Sequence, residues 1–295
     1  MTPDISEFTY GFALTNELVG WMALSSVPIF PSLIEEGKAS GGYDVKLDRP
    51  GVPLFLQFKR SHVMKRRSAN EIKNLGLTLE VPFHRFAITE RKRSLQHTSL
   101  VTLDNGINEV YYVAPRFHTL DGINEAWSNN RVAQRSIFVS PAEIGIIADD
   151  LRHTVSFDEN VAYFCSEPRA VAAVSIELLK NRLTNKLKDD DRPVRAKLDE
   201  WIESATDAAV QSQEIQLKME DQFALSDTRN PELTSRQVIS ARPARPLGIR
   251  QTSDRVPSMP VREAKQLQAD HEKLRRLAKT AQAEFNAQLI IIQEN

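Results

Sequence analysis

The chain has 295 residues, 41% of them hydrophobic and 26% charged, with a formal net charge of -1. That balance fits one large or two ordinary globular domains and excludes a disordered or collagen-like chain. The single cysteine, Cys165, excludes an internal disulfide and a multi-cysteine zinc site. The apolar runs are too short for a membrane span, and residues 1–7 are too polar and acidic for a signal peptide, so a cytoplasmic protein with no membrane association is expected.

In chain order, Phe12, Leu14, Leu18, Trp21, Met22 and Leu24 predict a first helix over residues 9–24. Two strands follow, 43–47 and 54–59, joined by a turn at the Pro50-Gly51 pair. A charged, helical or irregular connection runs to residue 80, and 85–89 reads as a further strand. Residues 91–103 predict a helix that ends near Asn105-Gly106. The aromatic and branched run 109–114, stopped by Pro115, predicts a strand. A helix over 120–132 and a strand over 136–139 complete an order that implies a mixed sheet covered by helices.

The character changes after Pro168. Helices are expected over 170–187 and 194–221, with Pro193 at the start of the second. Residues 226–260 are rich in Pro, Ser, Thr and Arg and read as a connector. Leu267, Leu274, Leu277, Ala281, Phe285 and Leu289 then recur at helical spacing, predicting an amphipathic helix over 261–292 in need of a partner surface. The expected division is a catalytic-type domain at 1–168, a helical region at 169–225, the connector at 226–260, and a helix for docking or oligomerisation at 261–295.

The chemistry concentrates in Gly41-Gly42-Tyr43-Asp44-Val45 and Phe55-Leu56-Gln57-Phe58-Lys59-Arg60. Strand alternation sends Gln57 and Lys59 to one face and Phe58 to the other. A carboxylate, an amide oxygen and an ammonium at one sheet edge suit a hard divalent cation beside a phosphodiester. Between residues 59 and 93 ten Lys/Arg stand against three Glu, a basic strip able to meet nucleic-acid phosphates.

These motifs resemble the PD-(D/E)XK nuclease superfamily, and within it the Mrr-like restriction endonucleases. The resemblance covers roughly the first 140 residues. It rests on Glu17 in the first helix, Gly41-Gly42-Tyr43-Asp44, and the Gln57-x-Lys59 triplet, the less common Gln variant; the Pro of the family's name is absent before Asp44. It implies an α/β fold with a restriction-endonuclease-like αβββαβ core, followed here by an α-helical C-terminal region. It also implies Mg²⁺-dependent cleavage of DNA, with Mn²⁺ able to substitute. Asp44, Gln57, the Phe58 carbonyl and Glu17 would hold the metal, and Lys59 would stabilise charge on the phosphorane or orient water. Glu35 or Glu36 could stand in for Glu17.

Gln96 and His97 fall where such nucleases place polar residues near the scissile phosphate, although the Tyr some relatives carry four residues after the Gln is Leu100 here. With Arg60, Lys65, Arg66 and Arg67 they form the expected nucleic-acid contacts. The family context implies an effector in restriction or anti-phage defence, a homo-oligomer through the C-terminal helices, and a regulatory protein partner. The alternative from another class is a catalytically inactive subunit of the same fold that binds nucleic acid or scaffolds a complex. RNA remains open as the substrate.

Overall fold

From Val52 to Leu56 every side chain is apolar, and a strand with no polar face can only be stable if covered on both sides. The computed structural model, which describes residues 1–20, 24–29, 45–227 and 261–294, places that run inside a mixed six-stranded sheet. The first elements are α1 (Glu7–Val19), β1 (Leu24–Ile29), β2 (Val52–Phe58), β3 (His62–Met64), α2 (Asn70–Lys73), β4 (Phe83–Ile88), α3 (Gln96–Leu103), β5 (Glu109–Pro115) and α4 (Leu120–Ser128). Next come β6 (Ser136–Val139), α5 (Pro141–Ile144), β7 (His153–Phe157), β8 (Ala162–Phe164), β9 (Arg169–Val171) and β10 (Ala173–Val174). The chain closes with α6 (Ile176–Asp189), α7 (Val194–Asp227), α8 (Val261–Phe285) and β11 (Gln288–Glu294).

The six-stranded sheet has the order β1-β11-β2-β5-β6-β10, antiparallel throughout except for the parallel pair β2 and β5. One face packs Leu54, Leu56, Tyr111, Val113 and Phe138 under α1, α4 and α6. The other packs Phe55, Val110, Tyr112 and Val139 under α3, α7 and α8, together with Phe86, Val155 and Phe157 of a second sheet. That second sheet is antiparallel, in the order β3-β4-β7-β8-β9. The mixed α/β architecture and the late helices thus follow the sequence-based expectation.

Several boundaries do not. The first helix stops at Val19, where the Gly20 N–H closes back on Glu17 and Leu18, and Leu24 opens an edge strand able to accommodate Pro28. Of the strand expected over 43–47, Tyr43 and Asp44 lie outside the described residues, and Val45–Leu47 form no strand. The antiparallel neighbour of β2 is instead β11, and the side chain of Gln293 binds both the N–H and the carbonyl of Lys46, each at 2.9 Å. The last helix ends at Phe285, Asn286 turns the chain at φ 48, and Leu289 to Ile292 extend into the sheet. Arg169–Val171 and Ala173–Val174 are short strands, so α6 begins at Ile176 rather than at 170.

These differences also correct the expected division of the chain. Strand β11 lies between β1 and β2, and β10 pairs with β6, so residues beyond 168 complete the same sheet. The apolar stripe of α8, offered by the sequence for docking, is buried: Leu274, Leu277, Ala281 and Phe285 share one core with Trp201 of α7 and Leu100 of α3. The connector expected over 226–260 falls almost wholly outside the described residues, and α7 runs to Asp227. Among the described residues no helix is long and apolar enough to cross a membrane.

Candidate functional site

The carboxyl ends of β2 and β5 lie side by side, with Phe58 opposite Val113. The next residue extends the ladder, the Lys59 N–H donating to the Val113 carbonyl at 2.8 Å. The pleat divides the triplet as its spacing predicts. Phe58 goes to α1, where a Cβ on Gly11 would come within 2.8 Å of its ring, so only glycine lets the helix lie this close. Gln57 and Lys59 go to the α3 side.

Gln57 is 3% exposed and Lys59 6%, and Gln96, the first residue of α3, joins them. The Lys59 Nζ donates to Gln96 Oε1 at 3.1 Å, and Gln96 Nε2 donates to Gln57 Oε1 at 2.9 Å. Gln57 Nε2 in turn donates to the Phe58 carbonyl at 3.1 Å. The direction of this chain follows from its first member. An ammonium has no lone pair, so Gln96 must turn its oxygen to Lys59 and its nitrogen to Gln57, which fixes both amides.

Lys59 Nζ also lies 5.2 Å from the centre of the Tyr112 ring, a cation–π contact. No carboxylate of the described residues pairs with it. Burial therefore dominates and pulls the ammonium down to about 8, while the Glu7 carboxylate in the first turn of α1 acts the other way. Tyr112 is itself held: its hydroxyl meets His97 Nδ1 at 2.9 Å, and His97 Nε2 meets the Gly145 carbonyl at 2.8 Å. A carbonyl only accepts, so Nε2 carries the proton and Nδ1 accepts from the tyrosine. Burial pulls this imidazole down to about 4, against the Gly145 bond and with help from Lys59, so it is neutral near pH 7.

The expected site residues therefore separate. Gln57, Lys59 and Gln96 come together, with the Phe58 carbonyl at the end of their chain. Asp44, Glu35 and Glu36 lie outside the described residues. Glu17 is engaged elsewhere, its Oε2 accepting from the Val132 N–H at 2.6 Å and the Ala133 N–H at 3.2 Å. Burial raises its pKa and those two bonds lower it. The physical reason is helix direction. The amino end of α1 lies toward Lys59, and ten residues at 1.5 Å each put Glu17 about 15 Å further along the axis than Glu7.

Glu7 and Tyr112 are the members that sequence reasoning missed. Glu7 had a legible signal, since it shares a helix face with Gly11 four residues on. Gln96 and His97 do not face solvent as nucleic-acid contacts would; both are buried as supports. Arg60, Lys65, Arg66 and Arg67 are exposed and form no ion pair among the described residues. Elsewhere in the basic strip Arg85 pairs with Glu71 at 2.7 Å, Arg91 with Asp150 at 2.8 Å and Arg93 with Glu90 at 2.9 Å.

Among the described residues no three His, Cys, Asp or Glu side chains gather as a metal cluster. The uncharged oxygens of this hydrogen-bond chain are Gln57 Oε1, which accepts from Gln96, and the Phe58 carbonyl, which accepts from Gln57 Nε2. Each accepts one N–H and keeps a second lone pair, and Glu7 lies near enough to act on Lys59. Hard, uncharged oxygens with a nearby carboxylate fit Mg²⁺ in donor type, with water completing the shell. No family model, no curated protein and no solved structure matches this chain.

Proposed function

We propose that the chain is a metal-dependent DNA endonuclease of the PD-(D/E)XK superfamily, of the Mrr-like restriction-endonuclease type, acting in restriction or anti-phage defence. The observation that carries this reading is the buried Lys59–Gln96–Gln57 chain at the carboxyl end of a parallel strand pair. A desolvated ammonium facing an amide and an aromatic ring is short of negative charge, and a phosphodiester supplies it. As the phosphorane forms, further charge builds on its oxygens, so Lys59 would stabilise the transition state more than the ground state. Gln96 aims the ammonium, and His97 holds the Tyr112 ring beneath it.

Asp44, Gln57 Oε1 and the Phe58 carbonyl would hold Mg²⁺ or Mn²⁺, with Glu7 in the role expected of Glu17. When bound, the ion would lower the pKa of a coordinated water and polarise the phosphate. The defence role, a regulatory partner and a homo-oligomer with two active sites for a duplex rest on the resemblance. A second reading has its own observation: Gln57 and Phe58 already satisfy each other without a metal. That favours a catalytically inactive nuclease-fold subunit binding nucleic acid or a partner.

Cleavage of plasmid DNA, linear DNA and RNA with Mg²⁺ or Mn²⁺ separates the two. The nuclease should need the metal and lose about 10²–10³-fold in rate in both Asp44→Ala and Lys59→Met. An inactive wild type that binds Mn²⁺ no better than Asp44→Ala, by titration calorimetry, would remove the nuclease and favour the subunit.

A further inference from the structure

The outer face of the second sheet carries a cleft that the proposed chemistry does not use. Strand pairing builds it: His62 lies opposite Arg85, and Ala87 lies opposite Thr154. Side chains two apart on a strand share a face, so His62, Arg85, Ala87 and Thr154 point the same way. Arg152, just before β7, joins them around an open volume of about 280 Å³. The core-facing side of these strands is apolar, with Phe86, Val155 and Phe157.

Three features mark the cleft as an anion site. Arg85 is held in place from behind, its guanidinium 2.7 Å from the carboxylate of Glu71, which is 2% exposed. Arg152 is exposed and has no ion pair among the described residues. His62 feels Arg85, Arg152 and Arg60 together, and these charges join burial in lowering its pKa. The small Ala87 and the Thr154 hydroxyl leave room and a further donor between the cations. A planar guanidinium, a hydroxyl and an imidazole suit the oxygens of a phosphodiester.

We propose that this cleft binds a backbone phosphate of the nucleic acid, through Arg85, Arg152, His62 and Thr154, on a track that passes Arg60 to reach Lys59. It rests on the nuclease reading only for the identity of the polyanion. The site would grip the strand at a phosphate other than the scissile one. It reads no bases, so it would serve any sequence alike.

The test is fluorescence anisotropy of labelled duplex DNA, single-stranded DNA and RNA, without divalent metal, over a range of salt. Arg60→Glu/Arg152→Glu changes two exposed side chains, and Thr154→Glu puts a carboxylate in the cleft itself. Each variant should bind at least about tenfold more weakly, and the double variant should lose about two phosphates' worth of salt slope, at roughly 0.9 each on duplex DNA. Unchanged affinity and slope in the double variant, or no salt-dependent binding by wild type, would overturn the site. Wild-type binding that depends on Arg152 without any cleavage would keep the site while removing the nuclease. Cleavage and binding indifferent to all three substitutions would remove the site and leave the nuclease.

Discussion

Two lysines are buried at opposite ends of β2, and their surroundings differ in one respect that matters. Lys197, 3% exposed, lies on α7 near the amino end of the strand, where Pro50 bridges Pro193. Its Nζ has the Asp190 carboxylate at 3.6 Å, the Asp190 carbonyl at 3.3 Å and the Trp201 ring at 5.7 Å. Lys59, at the carboxyl end, has an aromatic face and an amide oxygen but no carboxylate among the described residues. Burial and a ring are common to both, so neither marks a functional lysine. The counter-ion is what differs. Lys197 faces a fixed anion and ties α6 to α7, whereas Lys59 has no such anion among the described residues and, on the proposed function, would meet one that arrives.

Replacing each lysine by methionine should separate the two ends most sharply. Lys59→Met is expected to abolish cleavage to within the limits above, and Lys197→Met to leave it nearly intact. Burial lowers the pKa of both ammonium groups, but at Lys197 the Asp190 carboxylate opposes it, so the two should differ in the size of the stability change. At neutral pH Lys59→Met should gain up to about 3 kcal/mol, the cost of lowering the ammonium from 10.5 to about 8. Lys197→Met should change stability by less than about 1 kcal/mol, since the Asp190 carboxylate offsets much of the cost of burial there and, when Lys197 is removed, keeps Arg192 at 2.7 Å.

The sign of the pH effect follows from proton counts. The folded pKa of Lys59 lies below the unfolded one, so the folded chain binds fewer protons between about pH 8 and 10.5. Wild-type stability from this group therefore rises with pH through that window. The advantage of Lys59→Met should be full below about pH 8 and gone by about pH 10.5, as read from urea melts. A constant gap would mean that Lys59 is not the buried, unpaired cation described.

Smaller effects sharpen the same contrast. Gln96→Leu removes the amide that joins Lys59 to Gln57, leaving a donor and an acceptor without protein partners. A loss of about 2 kcal/mol and a fall in cleavage of about tenfold are expected. Full activity in that variant would show that Gln96 does not aim the ammonium. Smallest is the pair of helix glutamates. Glu17→Gln should cost about 1 kcal/mol through its weaker bonds to Val132 and Ala133, with cleavage unchanged. Glu7→Gln should do the reverse, slowing cleavage with little effect on melting.

The local features were legible in the sequence because they depend on the geometry of a few consecutive residues. The strand 136–139, the start of α7 after Pro193, and the shared face of Gln57 and Lys59 follow from propensity and from the two-residue period. The strand at the end of the chain also left a signal, three isoleucines in a row, but Leu289 continued the helical spacing of the preceding turns. A short strand has little stability alone and takes its form from its neighbours. Only the tertiary structure could seat β11 between β1 and β2, gather the short strands of the second sheet, and set Gln96 between Gln57 and Lys59. Those choices join residues far apart in the chain, and the burial of both sheet faces together decides them. The sequence by itself determined which side chains share a face. Which side chains those faces meet, and so whether a buried charge is answered or left open, was decided by the fold.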